Sequence, residues 1–322
     1  MTTVAGEMQQ QQQSPSGGPQ CIACAARLAP ALTCAQGTVL RCPECGLGML
    51  ENIPEKAKIF TYYTKFYDEE HSERFHPVLE FAVTLFRLLR VRVVEAFAKG
   101  KGRLLDVGFG RPIDLALFAQ RGWEVHGTQI VPHTVRVAQQ RGLQAFLGEL
   151  PDAKYPTESF DLITIWHVLE HLQEPGSYLA DAHRILKPGG QLLIEVPNFG
   201  SPIAQTFGKA WLGLDLPHHL YHFTPQSLTK LLASHGFTVV KTKFFSLEQS
   251  PFSALQTLLN ALTGQRNVVF EGMKTQGQKR PLLTTLGHVL LALGLAPVAL
   301  LVSILFGLAR QGDIMRFYCV RK

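Results

Sequence analysis

Short apolar runs alternate with amphipathic segments along residues 103–246. Three of these runs, RLLDV at 103–107, FDLITIW at 160–166 and QLLIEV at 191–196, are apolar at nearly every position, which is typical of strands buried on both faces. The segments between the runs have the spacing of amphipathic helices, and turn signals such as LKPGG follow them. Strands that alternate with helices predict an α/β fold with a doubly wound parallel sheet, here of seven strands ending with 315–320. Such sheets bind ligands at the carboxyl ends of their strands.

Changes in this pattern divide the chain into six segments. The first is rich in Gln, Ser, Gly and Pro, which indicates a disordered tail, and the second is short and punctuated by cysteines. A helical lead-in then precedes the main α/β domain, and an apolar helical insertion separates that domain from its last strand. The predicted boundaries are 1–20 for the tail, 21–50 for a zinc-ribbon-like domain, 51–100 for the lead-in, 101–246 for the main domain, 247–314 for the insertion and 315–322 for the last strand.

Composition narrows the class of protein. Hydrophobic residues make up 46% of the 322 residues and charged residues 17%, which excludes wholesale disorder and a fibrous scaffold. The net charge of +6 is too small to indicate a partner by itself. Residues 1–20 have neither the basic region nor the apolar region of a secretory signal, so we expect a cytoplasmic protein. In that compartment, paired C-x-x-C motifs indicate a metal site before they indicate disulfides.

Four cysteines form two C-x-x-C pairs near the start of the chain. Cys21 and Cys24 are followed, after residues 25–41, by Cys42 and Cys45 in the turn CPECG. Four thiolates at this spacing predict a tetrahedral structural zinc site of the zinc-ribbon type, and a segment so short needs the metal in order to fold.

Zinc ribbons can also contact RNA, and the charge of this segment bears on that alternative. Only Arg27 and Arg41 are basic between the first and last of the four cysteines. The segment therefore favours a structural or substrate-docking role over nucleic-acid binding.

A strand, a Gly-x-Gly turn, a helix and a second strand follow one another in LLDVGFGRPIDLALFAQRGWEVHGTQI, where Gly108 and Gly110 permit a tight turn and close approach of a ligand. The segments SFDLITIWHVLEHLQEP, RILKPGGQLLIEVPNFG and DLPHHLYHFTPQSLTKLLASHGF come next, in this order. Together they resemble class I S-adenosylmethionine-dependent methyltransferases with a Rossmann-like sheet. The chain most resembles the bacterial small-molecule group that contains the ubiquinone-biosynthesis O-methyltransferases, over residues 60–245 and again at the last strand.

The resemblance implies a set of cofactor-binding residues. The turn from Asp106 through Gly108 to Gly110 would hold the methionine end of S-adenosylmethionine. Gln129 stands at the end of the second strand, where the family has an acidic residue for the ribose hydroxyls, and Glu149 stands near the adenine.

Three positions bear further on cofactor binding. Trp166 ends the fourth strand, where we expect it to line the cofactor pocket. Gln129 and Pro112, the latter at the third glycine of the family's turn, depart from the family pattern. These departures leave a non-catalytic relative open as an alternative.

Histidines are the candidates for chemistry. Methyl transfer from a sulfonium is an in-line displacement that depends on positioning, with a general base when the acceptor is a hydroxyl. His167 follows the fourth strand, and His218, His219 and His222 lie in the insert after the fifth. Substrate lining, packing and a metal site are all open for the latter three. No cysteine lies between 45 and 319, which argues against a cysteine nucleophile.

A long segment without charge, 281–309, lies between Arg280 and Arg310. It is long enough to span a bilayer, but Gly294 and Pro297 are expected to break it into two short halves. A helical hairpin dipping into the membrane interface is the preferred interpretation. A soluble buried hairpin or dimer face and a true span are the alternatives.

These observations lead to one preferred function. We expect a methyltransferase, with S-adenosylmethionine as cofactor and structural zinc, that acts on oxygen or nitrogen of a small or lipid-linked molecule. The protein would be cytoplasmic and peripheral on the inner face of the membrane. A zinc-ribbon RNA methyltransferase and a methyltransferase-like binding protein are the alternatives.

Overall fold

The computed structural model describes residues 18–66, 77–273 and 282–322. Its strands are β1 Ala29–Cys34, β2 Gly37–Arg41, β3 Gly48–Leu50, β4 Arg103–Val107, β5 Glu124–Gln129, β6 Gln144–Leu147, β7 Phe160–Trp166, β8 Leu186–Pro197, β9 Tyr221–His222, β10 Phe237–Lys243 and β11 Ile314–Arg321. Its α-helices are α1 Lys56–Phe66, α2 Pro77–Phe97, α3 Ile113–Gln120, α4 Pro132–Gln140, α5 Pro175–Ile185, α6 Pro202–Phe207, α7 Pro225–Ser234, α8 Ser250–Thr263, α9 Val268–Met273 and α10 Leu282–Leu308. Most of the predicted tail, residues 1–17, lies outside the described residues.

Seven strands form the central sheet in the order β10-β11-β8-β7-β4-β5-β6, which confirms the predicted α/β class and strand number. Strands β4 to β8 run parallel, as the alternation of strands and helices predicts. The last strand differs from that expectation, because β11 enters between β10 and β8 and is antiparallel to both. The antiparallel direction follows from the chain path, since β11 begins at the carboxyl edge where the insertion ends.

The core lies on both faces of this sheet, and successive strand residues point to opposite faces. Leu104 belongs to the apolar cluster that includes Val91 of α2 and Phe118 of α3. Its neighbour Leu105 belongs to the larger cluster, with Leu179 of α5 on the other face. Helices therefore cover both faces, and the ends of the strands are the part of the sheet left for a ligand.

The cysteine-rich segment forms a second, four-stranded sheet with the order β1-β2-β3-β9. Its first three strands come from residues 29–50, but the fourth comes from the segment after β8. Gly48 is paired with His222 and Met49 with Tyr221 in antiparallel register. The cysteine-rich sheet therefore shares a strand with the part of the chain that carries three of the predicted site histidines.

The apolar insertion contains one long helix where we expected a hairpin. Helix α10 runs through Gly294 and Pro297 without a break, so the predicted division into two halves is wrong. A helix tolerates an internal proline when packing supports the turns around it. Here Ala299 and Ser303, in the turns that follow Pro297, are buried, and Ser303 Oγ donates to the backbone oxygen of Ser250 at 3.0 Å.

The insertion leaves and re-enters the sheet at the carboxyl edge of the parallel strands. Arg316, near the start of β11, is opposite Lys243, the last residue of β10, and Ile314 is opposite Pro197, the last residue of β8. The apolar helix α10 therefore belongs to the edge of the sheet at which α/β proteins bind their ligands.

Candidate functional site

The first strand of the sheet ends in a turn that requires glycine. Gly108 and Gly110 have φ angles of +67° and +56°, in the left-handed region. A Cβ atom at Gly108 would lie 2.6 Å from Cγ2 of Val168, so no other residue fits there without movement. The backbone nitrogen of Gly108 donates to the oxygen of Thr128 at 2.8 Å, which ties the turn to β5.

Asp106 lies beneath this turn. It is buried and accepts a hydrogen bond from Thr164 Oγ1 of β7 at 2.7 Å. Burial, together with the nearby charge of Asp114, raises its pKa to about 7. In this position Asp106 supports the turn from below rather than lining an open surface.

A cleft of about 400 Å³ opens beside the ends of β5 and β6. It is lined by the first turns of α1 and by residues that follow the two strands, including Ile130 and Glu149. Glu149 forms an ion pair with Lys56 of α1 at 2.7 Å. Gln129 is buried next to the cleft, where its Oε1 accepts from the backbone nitrogens of Ile130 at 2.8 Å and Val131 at 3.3 Å. The structure thus brings Gln129 and Glu149 to one end of the site.

Trp166 ends β7 between two guanidinium groups. The centre of its ring lies 4.4 Å from Cζ of Arg90 and 5.0 Å from Cζ of Arg316. Arg90 comes from α2 and also donates to Asp114 at 3.1 Å and to Glu248 at 2.5 Å. These contacts hold the lead-in helix, the glycine turn and the insertion together around Trp166.

Glu195 is the fully buried acid of this region. It lies opposite both Trp166 and Arg316 in the sheet, and its Oε2 accepts from Nε of Arg316 at 2.7 Å. Its Oε1 is 3.2 Å from Nε2 of His167 and accepts from Ser246 Oγ at 3.3 Å. Burial opposes ionisation, but the charge of Arg316 and the contact with His167 keep the pKa of Glu195 well below its usual range.

His167 is held as a cation between two carboxylates. Nδ1 is 3.4 Å from Oε1 of Glu170 and Nε2 is 3.2 Å from Oε1 of Glu195. Burial alone would lower its pKa, but these two acids raise it to about 9. The residue also has φ of +51°, a conformation that is uncommon for non-glycine residues. At neutral pH a protonated His167 can contribute positive charge but cannot accept a proton.

The other histidines gather around Glu170. The rings of His171 and His219 are 4.5 Å apart, and those of His219 and His222 are 6.2 Å apart. His218 lies at the edge of this group, with Nδ1 3.4 Å from Oδ1 of Asp215. The structure thus brings together three of the four predicted catalytic histidines and leaves His167 on the far side of Glu170.

Hydrogen bonds to backbone oxygens fix which ring nitrogens carry protons. Nδ1 of His171 donates to His218 at 3.0 Å, Nδ1 of His219 to Gly213 at 2.8 Å and Nε2 of His222 to Leu214 at 2.9 Å. Burial lowers the pKa values of His171 and His222 to about 4, so both rings are neutral at pH 7. Since Nδ1 of His219 donates to Gly213, Nε2 is the ring nitrogen left to accept a proton.

Two groups of side chains could hold a metal ion among the described residues. One consists of Glu170, His171 and His219, whose ligand atoms lie within 4.8 Å of one another. The other consists of Cys21, Cys24, Cys42 and Cys45.

The four cysteines fit a zinc ion. Three Sγ–Sγ distances, Cys21–Cys45, Cys24–Cys42 and Cys24–Cys45, are 3.5, 3.4 and 3.7 Å. Tetrahedral zinc with Zn–S bonds of about 2.3 Å places its sulfurs about 3.8 Å apart. Backbone nitrogens of Ala23 and Cys45 point at the sulfurs of Cys21 and Cys42, at 3.4 and 3.5 Å, as in thiolate knuckles.

Several residues of the site were not identified from the sequence. Glu195 and Arg316 form a buried pair 121 positions apart, and Arg90 joins the site from the lead-in helix. A signal was present, because Glu195 interrupts the apolar run QLLIEV and Arg316 interrupts MRFYCV. A charge inside a buried strand needs a partner.

The chain is similar to known proteins in sequence and in fold. The family model described as a methyltransferase domain matches residues 81–242. The ubiquinone biosynthesis O-methyltransferase of Xanthomonas oryzae pv. oryzae is 30% identical over 131 residues, which are 38% of this chain and 54% of the relative. The enzyme of the same name from Paracidovorax citrulli is 27% identical over 198 residues, which are 56% of this chain and 79% of the relative.

Among solved structures, a Burkholderia thailandensis 1,6-didemethyltoxoflavin-N1-methyltransferase with bound S-adenosylhomocysteine aligns with a TM-score of 0.49 and 16% identity. That alignment covers 91% of this chain and 99% of the other.

The sheet, the glycine turn and the cleft at its carboxyl edge define an α/β protein built to hold a ligand at the ends of its strands. The chain belongs to the methyltransferase domain family, since the family model covers half of it. This confirms the resemblance to S-adenosylmethionine-dependent methyltransferases. The chain spans about half the length, 54%, of the first curated relatives it matches.

Proposed function

We propose that this protein is an S-adenosylmethionine-dependent methyltransferase that acts on oxygen, or on nitrogen, of a small or lipid-linked molecule. The observation that carries the proposal is the left-handed glycine turn at the end of β4, on the same carboxyl edge of the sheet as the cleft at the ends of β5 and β6. The absence of a Cβ atom at Gly108 and Gly110 lets a ligand approach the backbone of this turn closely. Ubiquinone biosynthesis O-methyltransferases as relatives support oxygen as the acceptor atom.

The cofactor supplies an electrophilic methyl group on a sulfonium. Gly108 and Gly110 would hold its methionine end from above Asp106. Gln129 and Glu149 would face the ribose and the adenine at the cleft, because both lie at that end of the site. Protonated His167, pinned by Glu170 and Glu195, keeps the turn after β7 in its left-handed conformation beside Gly108.

His219 is the residue that we propose accepts the proton of a hydroxyl acceptor. Its Nδ1 donates to the backbone oxygen of Gly213, so Nε2 is the ring nitrogen left to accept a proton. His222 and His218 would position the loop through Leu214 and Asp215. A general base of this kind contributes about 10²–10⁴-fold to a rate.

An RNA substrate is disfavoured by the structure of the cysteine-rich segment. Arg41, one of its two arginines, donates to Gln205 at 2.9 Å and stacks over Phe199 with 5.4 Å to the ring centre. Two arginines in this segment supply little positive charge for phosphate binding, which depends on the number of Lys and Arg side chains that meet phosphates.

Transfer of a tritiated methyl group from S-adenosylmethionine tests the proposal. Separate incubations would contain the small-molecule, lipid and RNA fractions of cells that lack the protein. We expect label in the small-molecule or lipid fraction, and His219→Asn should lower its rate of incorporation at least about 100-fold, because asparagine keeps the donor to Gly213 without the basic atom. The control His235→Asn changes a histidine at the end of α7 and should leave the rate unchanged. Label in RNA alone would contradict the proposed substrate class.

We further propose that α10 lies in the membrane interface. Among the described residues, Thr284–Leu308 is one helix long and apolar enough to cross a membrane. Its Leu290 and Leu301 are 61% and 57% exposed, while Ala299 and Ser303 pack against α8. A helix fixed by one face to a folded domain is better suited to lie flat with its other face in lipid than to span. This arrangement would bring the carboxyl edge of the sheet to the surface where a lipid-linked substrate resides.

Flotation with anionic vesicles tests the membrane proposal. The native chain should float at low salt, and the double variant Leu290→Asp, Leu301→Asp should remain in the soluble fraction because two charges replace apolar contact with lipid. Its thermal midpoint should stay within a few degrees, since both side chains are exposed. Val240→Asp changes a similarly exposed residue on β10 and should still float. A native chain that does not float would end the membrane proposal.

A further inference from the structure

The cysteine-rich sheet is completed by the segment that carries the site histidines. Strand β3 pairs with β9, and the backbone nitrogen of Leu50 donates to the oxygen of Leu220 at 2.9 Å. The backbone nitrogen of Leu220 in turn donates to the oxygen of Glu170 at 2.8 Å. Residues 218–222 are thus held between the cysteine-rich segment on one side and the turn after β7 on the other.

A side-chain hydrogen bond joins the second cysteine knuckle to the same segment. Thr224 Oγ1 donates to the backbone oxygen of Cys45 at 2.6 Å and is buried. Thr224 Oγ1 also accepts from the backbone nitrogen of Ser227 at 3.1 Å, which caps the start of α7. A hydroxyl has one proton, so the proton of Thr224 is committed to the knuckle and its lone pairs to the helix.

The contact between the two parts leaves no free space. A Cβ atom at Gly48 would lie 3.0 Å from side-chain atoms of His222, Phe199 and Val39. A Cβ atom at Gly46 would lie 3.1 Å from Thr224. Backbone therefore packs directly against the histidine segment, and a change in the fold of the knuckle cannot be absorbed by side chains between them.

We propose that the zinc-loaded cysteine site is the positioning element for residues 218–222, with Thr224 as the positioning residue that connects them. Four thiolates in a segment this small fold around their metal, so loss of zinc removes the order of β3 and of the Cys45 backbone. Strand β9 then loses its partner, and His219 loses the geometry that the proposed proton transfer needs. The glycine turn and the cofactor cleft share no strand with the cysteine-rich sheet, so cofactor binding persists. The role of His219 rests on the proposed function, whereas the structural coupling does not.

Hydrogen exchange measured by mass spectrometry on the full chain tests the coupling without a known substrate. Zinc is assayed first, then removed with a chelator under reducing conditions and added back. Removal should speed exchange in 218–223 at least tenfold, leave exchange in 103–107 unchanged and leave the Kd for S-adenosylhomocysteine within twofold. Added zinc should restore the protection. Protection that survives metal removal, protection lost throughout the central sheet, or a chain that binds no zinc would each overturn the proposal.

Variants of Thr224 separate the coupling from general stability in the zinc-loaded protein. Thr224→Val removes the hydroxyl and should speed exchange in 218–223 at least fivefold with zinc retained. Thr224→Ser keeps the hydroxyl and should restore native exchange. Ser227→Ala weakens the cap of α7 but leaves the bond to Cys45, so exchange in 218–223 should stay native. Equal effects of Ser227→Ala and Thr224→Val would contradict the assignment, because the cap of α7 would then be the cause.

Discussion

Glu195→Gln is expected to lower the free energy of unfolding by about 3–5 kcal/mol, the usual cost of leaving a buried charge without its partner. Glu195 is 0% exposed and is the acceptor for both Arg316 and His167. Glutamine has the same shape but leaves Arg316 without its buried counterion and His167 with Glu170 as its remaining acid. Urea denaturation at pH 7 measures the change. Glu124→Gln is the matched control, because that exposed carboxylate pairs with Arg103 at the surface and its loss should change the stability little. A loss at Glu195 no larger than at Glu124 would contradict the buried network.

The same network gives a dependence on pH. The pKa of His167 is about 9 in the folded chain against an ordinary value of 6.5, because Glu170 and Glu195 outweigh the effect of burial. The stabilisation by protonated His167 is therefore complete below pH 6.5 and is lost as the pH rises through 9. The difference in stability between the native chain and His167→Gln should be on the order of 3 kcal/mol at pH 6 and much smaller at pH 10. A difference that grows with pH would contradict this protonation state.

Gly110→Arg is expected to weaken binding of S-adenosylhomocysteine by more than about 100-fold. The φ angle of +56° at Gly110 disfavours any side chain, by about 1–2 kcal/mol, and an arginine would fill the space that the turn leaves for the ligand. Gly189→Arg carries the same backbone penalty at φ +70°, in open space near the start of β8, and should bind normally. Calorimetric titration of both variants separates the two causes. Equal weakening in both would show that backbone strain, not the site, is responsible.

The strands of the central sheet could be predicted because each strand depends on a local pattern. Strands β4, β7 and β8 are short apolar runs, and such a run predicts a buried strand whichever strand it pairs with. The helices between them are predicted from their own periodicity. The cysteine pairs were equally clear, since ligand spacing is a local property. The glycine turn was predicted for the same reason, and its φ angles agree with that prediction.

Contacts between distant segments could not be predicted in this way. The pairing of β3 with β9 joins residues 48–50 to 221–222, and no pattern in either short segment specifies the other. The position of β11 between β8 and β10 sets Arg316 against Glu195, and register of this kind follows from the assembled sheet. Helix α10 differs from the expected hairpin because a proline breaks an isolated helix, whereas here the buried residues Ala299 and Ser303 anchor the turns that follow Pro297.

The histidines illustrate the same contrast between what a local sequence pattern predicts and what the assembled fold adds. Their positions after the fourth and fifth predicted strands follow from the sequence, but their gathering around Glu170 depends on the assembled fold, and the protonation states of His167 and His171 depend on burial and on partners. His167 differs from His171 because its ring lies between two acids, whereas the ring of His171 is buried beside another histidine. That contrast moves the proposed proton acceptor from the strand end to His219.

Calorimetric titration of the native chain with S-adenosylhomocysteine is the most direct test of the central claim. The account predicts one site per chain, with a dissociation constant in the micromolar range and competition by S-adenosylmethionine. Absence of heat, together with absence of competition by S-adenosylmethionine, would contradict the assignment of the glycine turn and the neighbouring cleft as a cofactor site.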